Sequence, residues 1–237
     1  MSIMKKYELL SIIIAVYNEA RTIKSILDLI VKSKLSIKKE IIIVNDGSTD
    51  NTLEIIKKFI HNNPKVNIKL INKSNEGKGS AVKLGISKAN GQLIIIQDAD
   101  LEYDPNDYEK CIQPILNGRY KVVYGSRVIG RNKIKYSHLS YLIGGRVITL
   151  FTNLLFGSRL TDEPTCYKTF DSDLIKPINI KGKKFDWEPE VTAKILKGGV
   201  KIKEVPIKYC PRSIKEGKKI RWKDGLAAIF TLIRYRF

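Results

Sequence analysis

Four segments in the first hundred residues are almost wholly apolar and β-branched: residues 9–16 (LLSIIIAV), 40–44 (EIIIV), 66–71 (VNIKLI) and 92–97 (QLIIIQ). Runs without alternation suit strands buried on both faces, as in a parallel sheet. Between them apolar residues return at helical spacing, first Ile23, Ile26, Leu27 and Ile30, then Leu53, Ile56 and Ile60, each set lining one side of a helix. Ser48, Thr49 or Asp50 offers an amino-terminal cap before Leu53, and Gly91 follows a helix that ends near Asn90. The alternation predicts a β-α-β-α-β-α-β unit, and so an open α/β sheet.

The second half is less regular. Residues 104–118 read as helix, 121–127 as a strand ending in a turn, and 141–156 as a long, weakly polar helix. Residues 165–170 and 202–209 read as strands. From Trp222 onward, Leu226, Ile229, Phe230, Ile233 and Phe237 share one helical face, flanked by Arg221, Lys223, Arg234 and Arg236. A basic amphipathic helix can lie in a membrane interface or pack on the sheet with its charges solvated. No low-complexity linker interrupts the chain, which predicts one domain over residues 1–237.

The chain has 237 residues and 43 Lys+Arg against 24 Asp+Glu, a formal charge of +19. This balance suits a polyanionic partner, whether nucleic acid, an anionic membrane or a phosphorylated substrate, or else an ordinary lysine-rich surface. Residues 101–237 carry net +13 and residues 1–100 net +6. No apolar run reaches the ~18 residues of a spanning helix, and the amino terminus lacks a signal-peptide cleavage pattern. Cys111, Cys166 and Cys210 are far apart and odd in number, as expected of reduced thiols in the cytoplasm. Only two histidines, His61 and His138, are present, leaving little for a histidine metal site or a Ser-His-Asp triad. GxGxxG after the first strand, a complete P-loop and GxSxG are all missing. No RNP-like aromatic motif, helix-turn-helix or zinc pattern supports nucleic-acid binding.

Ligands of open α/β sheets bind at the carboxyl ends of the strands, and polar residues recur there: Tyr17-Asn18-Glu19, Asn45-Asp46-Gly47-Ser48, Asn75-Glu76-Gly77-Lys78-Gly79 and Asp98-Ala99-Asp100. Each alone is ordinary turn chemistry; four at one edge are not. Two carboxylates two residues apart repel unless a cation compensates. Oxygen ligands without His or Cys suit Mg²⁺ or Mn²⁺, with substrate phosphates completing the shell.

In order along the chain, these residues resemble family-2 glycosyltransferases of the GT-A fold, and among them the dolichyl- or polyprenyl-phosphate sugar synthases. The matching segments are Ala15-Val16-Tyr17-Asn18-Glu19, with Ala where the family often has Pro, and Val44-Asn45-Asp46-Gly47-Ser48, with Asn for the first Asp. They continue with Asn75-Glu76-Gly77-Lys78-Gly79-Ser80-Ala81, Asp98-Ala99-Asp100-Leu101-Glu102 and Gly125-Ser126-Arg127, and close with Arg212 and Lys218 six residues apart.

The resemblance implies an α/β, Rossmann-like GT-A domain with a mostly parallel central sheet flanked by helices. Residues 1–103 would form the nucleotide-sugar-binding half. Residues 104–237 would form the acceptor half, with the basic amphipathic helix at about 222–237. Ala15, Tyr17, Glu19, Val44, Asp46, Lys78, Asp98 and Ala99 would line the donor nucleotide. Asp98, Asp100 and Glu102 would hold Mg²⁺ or Mn²⁺ against the diphosphate, and Arg127, Arg212 and Lys218 would contact phosphates. Asp98, Asp100 and Arg127 would thereby act in catalysis, and Arg146 and Asp162 would face the acceptor. The implied reaction is inverting transfer from a GDP-mannose- or UDP-glucose-type donor to polyprenyl or dolichyl phosphate. It would be performed by a peripheral enzyme on the cytoplasmic face of an anionic membrane. A glycan or small-molecule hydroxyl is the alternative acceptor. Residues 218–222 have the Arg-Trp of the QxxRW pattern but Lys in place of Gln, which argues against polymer synthesis.

Overall fold

The computed structural model describes residues 6–129, 139–212 and 222–237. Its centre is a sheet of seven strands: β1 (Leu9–Val16), β2 (Lys38–Asp46), β3 (Ile68–Lys73), β4 (Leu93–Asp98), β5 (Val122–Ser126), β6 (Lys168–Asp171) and β7 (Ile202–Pro206). Their order is β3-β2-β1-β4-β6-β5-β7. The first four strands are mutually parallel, and β5 runs parallel to β7, while β6 is antiparallel to both neighbours. The sheet is therefore mostly parallel.

The continuous apolar runs are explained by burial on both faces. Leu10, Ile12, Ile14, Ile41, Ile43, Leu93 and Ile95 project into one core, against α1 (Ile23–Lys32), α2 (Thr52–Asn62) and α4 (Tyr108–Leu116). Ile13, Ile42, Val44, Ile94 and Ile96 project into the other, against α3 (Lys78–Lys88) and, further along the chain, α7 (Trp187–Lys197). Alternate side chains enter opposite layers and both layers are dry, so period-two polarity has no role.

Several boundaries differ from expectation. The strand expected at 165–170 begins at Lys168, because Cys166 and Tyr167 form a turn in which the Lys168 amide donates to the Cys166 carbonyl at 2.8 Å. The helix expected over 104–118 opens as a short 3-10 turn, Pro105–Asp107, with Asp104 accepting from the Asn106 amide. α3 stops at Lys88. Gly91 serves instead to admit Ser11, whose Oγ would lie 2.6 Å from a Cβ added there. Asn51, not one of residues 48–50, occupies the cap position of α2, while Asp50 accepts from the Thr52 amide and hydroxyl. Two helices are additional: the short α6 (Ser172–Ile175), and α7.

α5 (Leu139–Phe156) and α8 (Trp222–Arg236) pack against each other on one side of the molecule. Ala228 and Leu232 are the buried residues of α8, so the predicted apolar stripe turns outward. Trp222 is 73% exposed, Phe230 70% and Phe237 91%, and Leu154 of α5 is 72% exposed. No helix among the described residues is long and apolar enough to cross a membrane.

Candidate active site

The carboxyl ends of β2, β1 and β4 form one edge. Ala15 is in register with Val44 on one side and Asp98 on the other, so the three share a rung. Beyond the rung the chain twice enters the left-handed region at non-glycine residues, Asn18 (φ 50°) and Leu101 (φ 64°). Such conformations persist only where the surroundings enforce them. Asn18 is fixed by the Thr49 amide, which donates to its Oδ1 at 2.8 Å. Leu101 separates Asp100 from Glu102, and both of those carboxylates are turned onto one cation, Arg212.

Arg212 donates from Nη2 to Asp100 Oδ2 at 2.8 Å and from Nη1 to Glu19 at 3.1 and 3.3 Å. Its backbone amide donates to Glu102 Oε1 at 2.7 Å, and the Tyr209 hydroxyl donates to Glu102 Oε2 at 2.9 Å. The Cys210 amide donates to the Glu102 carbonyl at 2.9 Å. Glu102 thus straps the segment after β7 across the Asp98–Asp100 turn. Burial, with Asp98 and Glu102 nearby, pushes the Asp100 carboxyl up to about 7, against the pull of Arg212.

Asp98 faces the other way, to Lys78 at 2.8 Å. The Lys78 ammonium also donates to Glu188 at 3.0 Å and lies 3.1 Å from Cys166 Sγ. Burial opposes its charge, but Asp98, Cys166 and Glu188 outweigh it, and Lys78 is held well above the usual lysine range. Burial likewise opposes ionisation of Asp98, yet Lys78 keeps its carboxyl below the usual range. The sequence marks Cys166 only as one of three expected reduced thiols and does not mark Glu188. Glu188 lies in the first turn of α7, where an acidic residue reads as ordinary helix-dipole chemistry.

The glycines beside Lys78 have a steric reason. Gly77 has φ 104°, and a Cβ there would come within 2.5 Å of the Lys183 carbonyl; one on Gly79 would come within 2.4 Å of the Gly182 carbonyl. The Gly79 and Ser80 amides donate to the Lys184 and Lys183 carbonyls, both at 3.1 Å. The amino end of α3 is thus closed by backbone and does not present those amides to a phosphate. Asp46 is buried under the same loop, accepting from Lys73 Nζ (2.8 Å) and from the Glu76 (3.1 Å) and Gly77 (2.8 Å) amides. It fixes this loop at the end of β2. Tyr17 is exposed at the end of β1, and Ala99 is buried.

Arg127, at the end of β5, is clasped by Asp162. Its amide and Nε donate to Oδ2, both at 2.8 Å, and Nη2 donates to Oδ1 at 2.7 Å. The guanidinium lies 5.1 Å from the Tyr209 ring centroid. Asp162 is itself set by Glu204, which accepts its amide at 2.9 Å. Asp162 therefore orients Arg127, and Arg146 is exposed on α5. Lys218 lies outside the described residues.

Among the described residues no group of three His, Cys, Asp or Glu side chains converges to hold a metal ion. The expected trio of Asp98, Asp100 and Glu102 is therefore divided, Asp98 toward Lys78 and the other two toward Arg212. The second pair does fit a hard divalent cation in kind. It consists of oxygen donors only, already drawn onto a cation, and such ions take one or two carboxylates with phosphates completing the shell.

The sequence profile described as Glycosyl transferase family 2 matches residues 11–177. A UDP-N-acetylglucosamine–dolichyl-phosphate N-acetylglucosaminyltransferase of Methanococcus voltae is 30% identical over 232 residues, covering 90% of this chain and 91% of that one. A dolichyl-phosphate β-glucosyltransferase of Dictyostelium discoideum is 36% identical over 172 residues, covering 67% of this chain and 50% of that one. In architecture the chain is similar to glucosyl-3-phosphoglycerate synthase from Mycobacterium tuberculosis, crystallised with Mn²⁺, uridine diphosphate and phosphoglyceric acid. The TM-score is 0.74 at 16% identity, covering 97% of this chain and 78% of that one. Sequence and architecture agree: the chain is a GT-A-fold protein belonging to glycosyltransferase family 2.

Proposed function

We propose that the protein transfers a sugar from a nucleoside diphosphate donor to a polyprenyl phosphate at a membrane surface. The observation that carries this reading is the convergence of Asp100 and Glu102 on the Arg212 guanidinium at the carboxyl edge, beside the Asp98–Lys78 pair. Such a site suits the diphosphate end of a nucleotide sugar. Asp100 and Glu102 would hold Mg²⁺ or Mn²⁺, which supplies charge stabilisation to the departing diphosphate. Arg212, held on those same two carboxylates, suits bidentate phosphate contact. Tyr17 and Glu19 flank the nucleoside side, and Asp46 holds the adjoining loop.

In the transfer a phosphate oxygen of the acceptor forms a bond to the anomeric carbon while the bond to the diphosphate oxygen breaks, inverting the centre. The acceptor is already an anion near neutral pH, so the site needs no strong base. Arg127, fixed by Asp162 and Tyr209, is the side chain best set to position an anionic acceptor. The names of the methanogen and slime-mould relatives support a lipid phosphate acceptor. The outward apolar faces of α5 and α8, edged by Arg146, Lys223, Arg234 and Arg236, support peripheral docking on an anionic leaflet.

A panel of UDP- and GDP-sugars with Mn²⁺ or Mg²⁺, with and without polyprenyl phosphate, tests the reading. Diphosphate release and lipid-linked sugar should appear together and be lost in Asp100→Ala. Product formed only without lipid, or release that survives Asp100→Ala, refutes it.

A further inference from the structure

Arg212 sits where a cation belongs. Among the described residues it is the positive charge shared by Glu19, Asp100 and Glu102, and a guanidinium cannot shed its proton to make room. The carboxylate oxygens are also spoken for. Asp100 Oδ1 accepts from the Glu102 amide at 3.1 Å and Oδ2 from Arg212 at 2.8 Å. Glu102 Oε1 accepts from the Arg212 amide at 2.7 Å and Oε2 from Tyr209 at 2.9 Å. A Mg²⁺-sized ion about 2.1 Å from Asp100 Oδ2 would stand no more than about 5 Å from the Arg212 nitrogen on that oxygen.

We propose that Arg212 is an internal stand-in for the divalent cation, and that the ion binds by exchange, driving the guanidinium off Asp100. This rests on the proposed donor site and adds an order to it. A bare ion must displace Arg212 from Asp100 and leave the guanidinium, among the described residues, to Glu19 alone. An ion arriving with a diphosphate supplies the receiver, because phosphate oxygens accept a guanidinium bidentately. The exchange is prepared on the arginine side as well: Arg212 Nε is buried without a hydrogen-bond partner, 3.9 Å from Glu102 Oε1. A phosphate oxygen would satisfy that donor, which no carboxylate of the cluster does. Metal and nucleotide therefore bind synergistically, and Arg212 is a positioning residue that couples them.

The test is Mn²⁺ binding without nucleotide, read from the loss of the free-ion electron paramagnetic resonance signal. Arg212→Ala should bind bare Mn²⁺ at least ten-fold more tightly than wild type, and adding Asp100→Asn should abolish the gain. Arg212→Lys, which keeps a charge on a conservative side chain, covers the case in which the alanine variant does not fold, and should fall between the two. Unchanged or weaker Mn²⁺ binding in folded Arg212→Ala overturns the proposal, as does an Arg212→Lys affinity equal to wild type. The unmutated protein gives a second readout. Cys210 is exposed two residues from Arg212, whereas Cys111 and Cys166 are buried. Saturating Mn²⁺ with UDP or GDP should change the alkylation rate of Cys210 several-fold; a rate that does not move while Mn²⁺ is bound overturns the exchange. The bare-ion measurement needs no donor or acceptor, so its failure is separable from failure of the sugar-transfer panel.

Discussion

Replacing Asp162 by alanine removes one carboxylate and strands Arg127. The guanidinium loses the Nε and Nη2 bonds at 2.8 and 2.7 Å, the Arg127 amide loses its acceptor at 2.8 Å, and the side chain stays enclosed beside Tyr209. The pair is well desolvated, with 15% of the Arg127 side chain and 4% of the Asp162 side chain exposed. Breaking such a pair from one side costs about 3–5 kcal/mol, because an uncompensated charge remains buried. At about 2–4 °C per kcal/mol for a chain of this size, the melting temperature should fall by roughly 6–20 °C. Pairing Asp162→Ala with Arg127→Met removes the stranded charge and should recover part of the loss. Thermal melts followed by circular dichroism on the two single variants and the double complete the cycle. Asp162→Ala melting within about 2 °C of wild type, or a double variant that loses the full sum of the singles, would refute the clasp.

Three further outcomes follow. The Asp100 carboxyl is raised from an ordinary 3.8 to about 7, so its ionisation opposes folding. Stability from this group is complete below about pH 4 and is lost as pH rises through 7. Metal-free Asp100→Asn should therefore melt several degrees above wild type at pH 8 and close to it near pH 4, and parallel pH–stability curves would count against the shift. Gly79→Ala would force a Cβ to 2.4 Å from the Gly182 carbonyl and 2.8 Å from Trp187 Cβ. Its urea midpoint should drop by an amount equivalent to about 1–3 kcal/mol, and an unchanged midpoint would show that the 182–184 segment is not packed there. Trp222→Glu with Phe230→Glu should abolish co-flotation with anionic liposomes while leaving the melting temperature within about 2 °C, since both side chains point outward; retained flotation would place membrane contact elsewhere.

The parallel core was legible because its strands are buried on both faces, which leaves an unmistakable run such as Leu9–Val16. The acidic turn at Asp98 and Asp100 was legible because it follows such a run directly. α7 was not. Its first turn holds Pro189 among acidic residues, and its inward positions, Trp187, Val191 and Ile195, are too sparse beside the lysines to announce a helix. The partners of Lys78 were hidden for another reason. Cys166 and Glu188 lie 88 and 110 residues away and meet it only through tertiary folding. Arg212 was expected on phosphate oxygens, but a sequence does not reveal that the same carboxylates expected to hold the metal receive it first. The stripe on α8 fitted either a membrane interface or a packed face, and the packing of α5 and α7 determines which side turns inward.

The antiparallel strand β6 has a consequence for how variation can accumulate in this protein. It arrives from the carboxyl-terminal part of the chain yet sits between β4 and β5, with Leu93 opposite Asp171 and Val122 opposite Phe170. A break after residue 103 would leave β4 with an open edge, its backbone groups unpaired and prone to foreign pairing. The parts of the sheet before and after residue 103 are thus interleaved rather than joined end to end. Under the proposed function, new acceptor preferences are then easier to reach by remodelling the segments that leave β5, β6 and β7 than by exchanging whole halves with another enzyme.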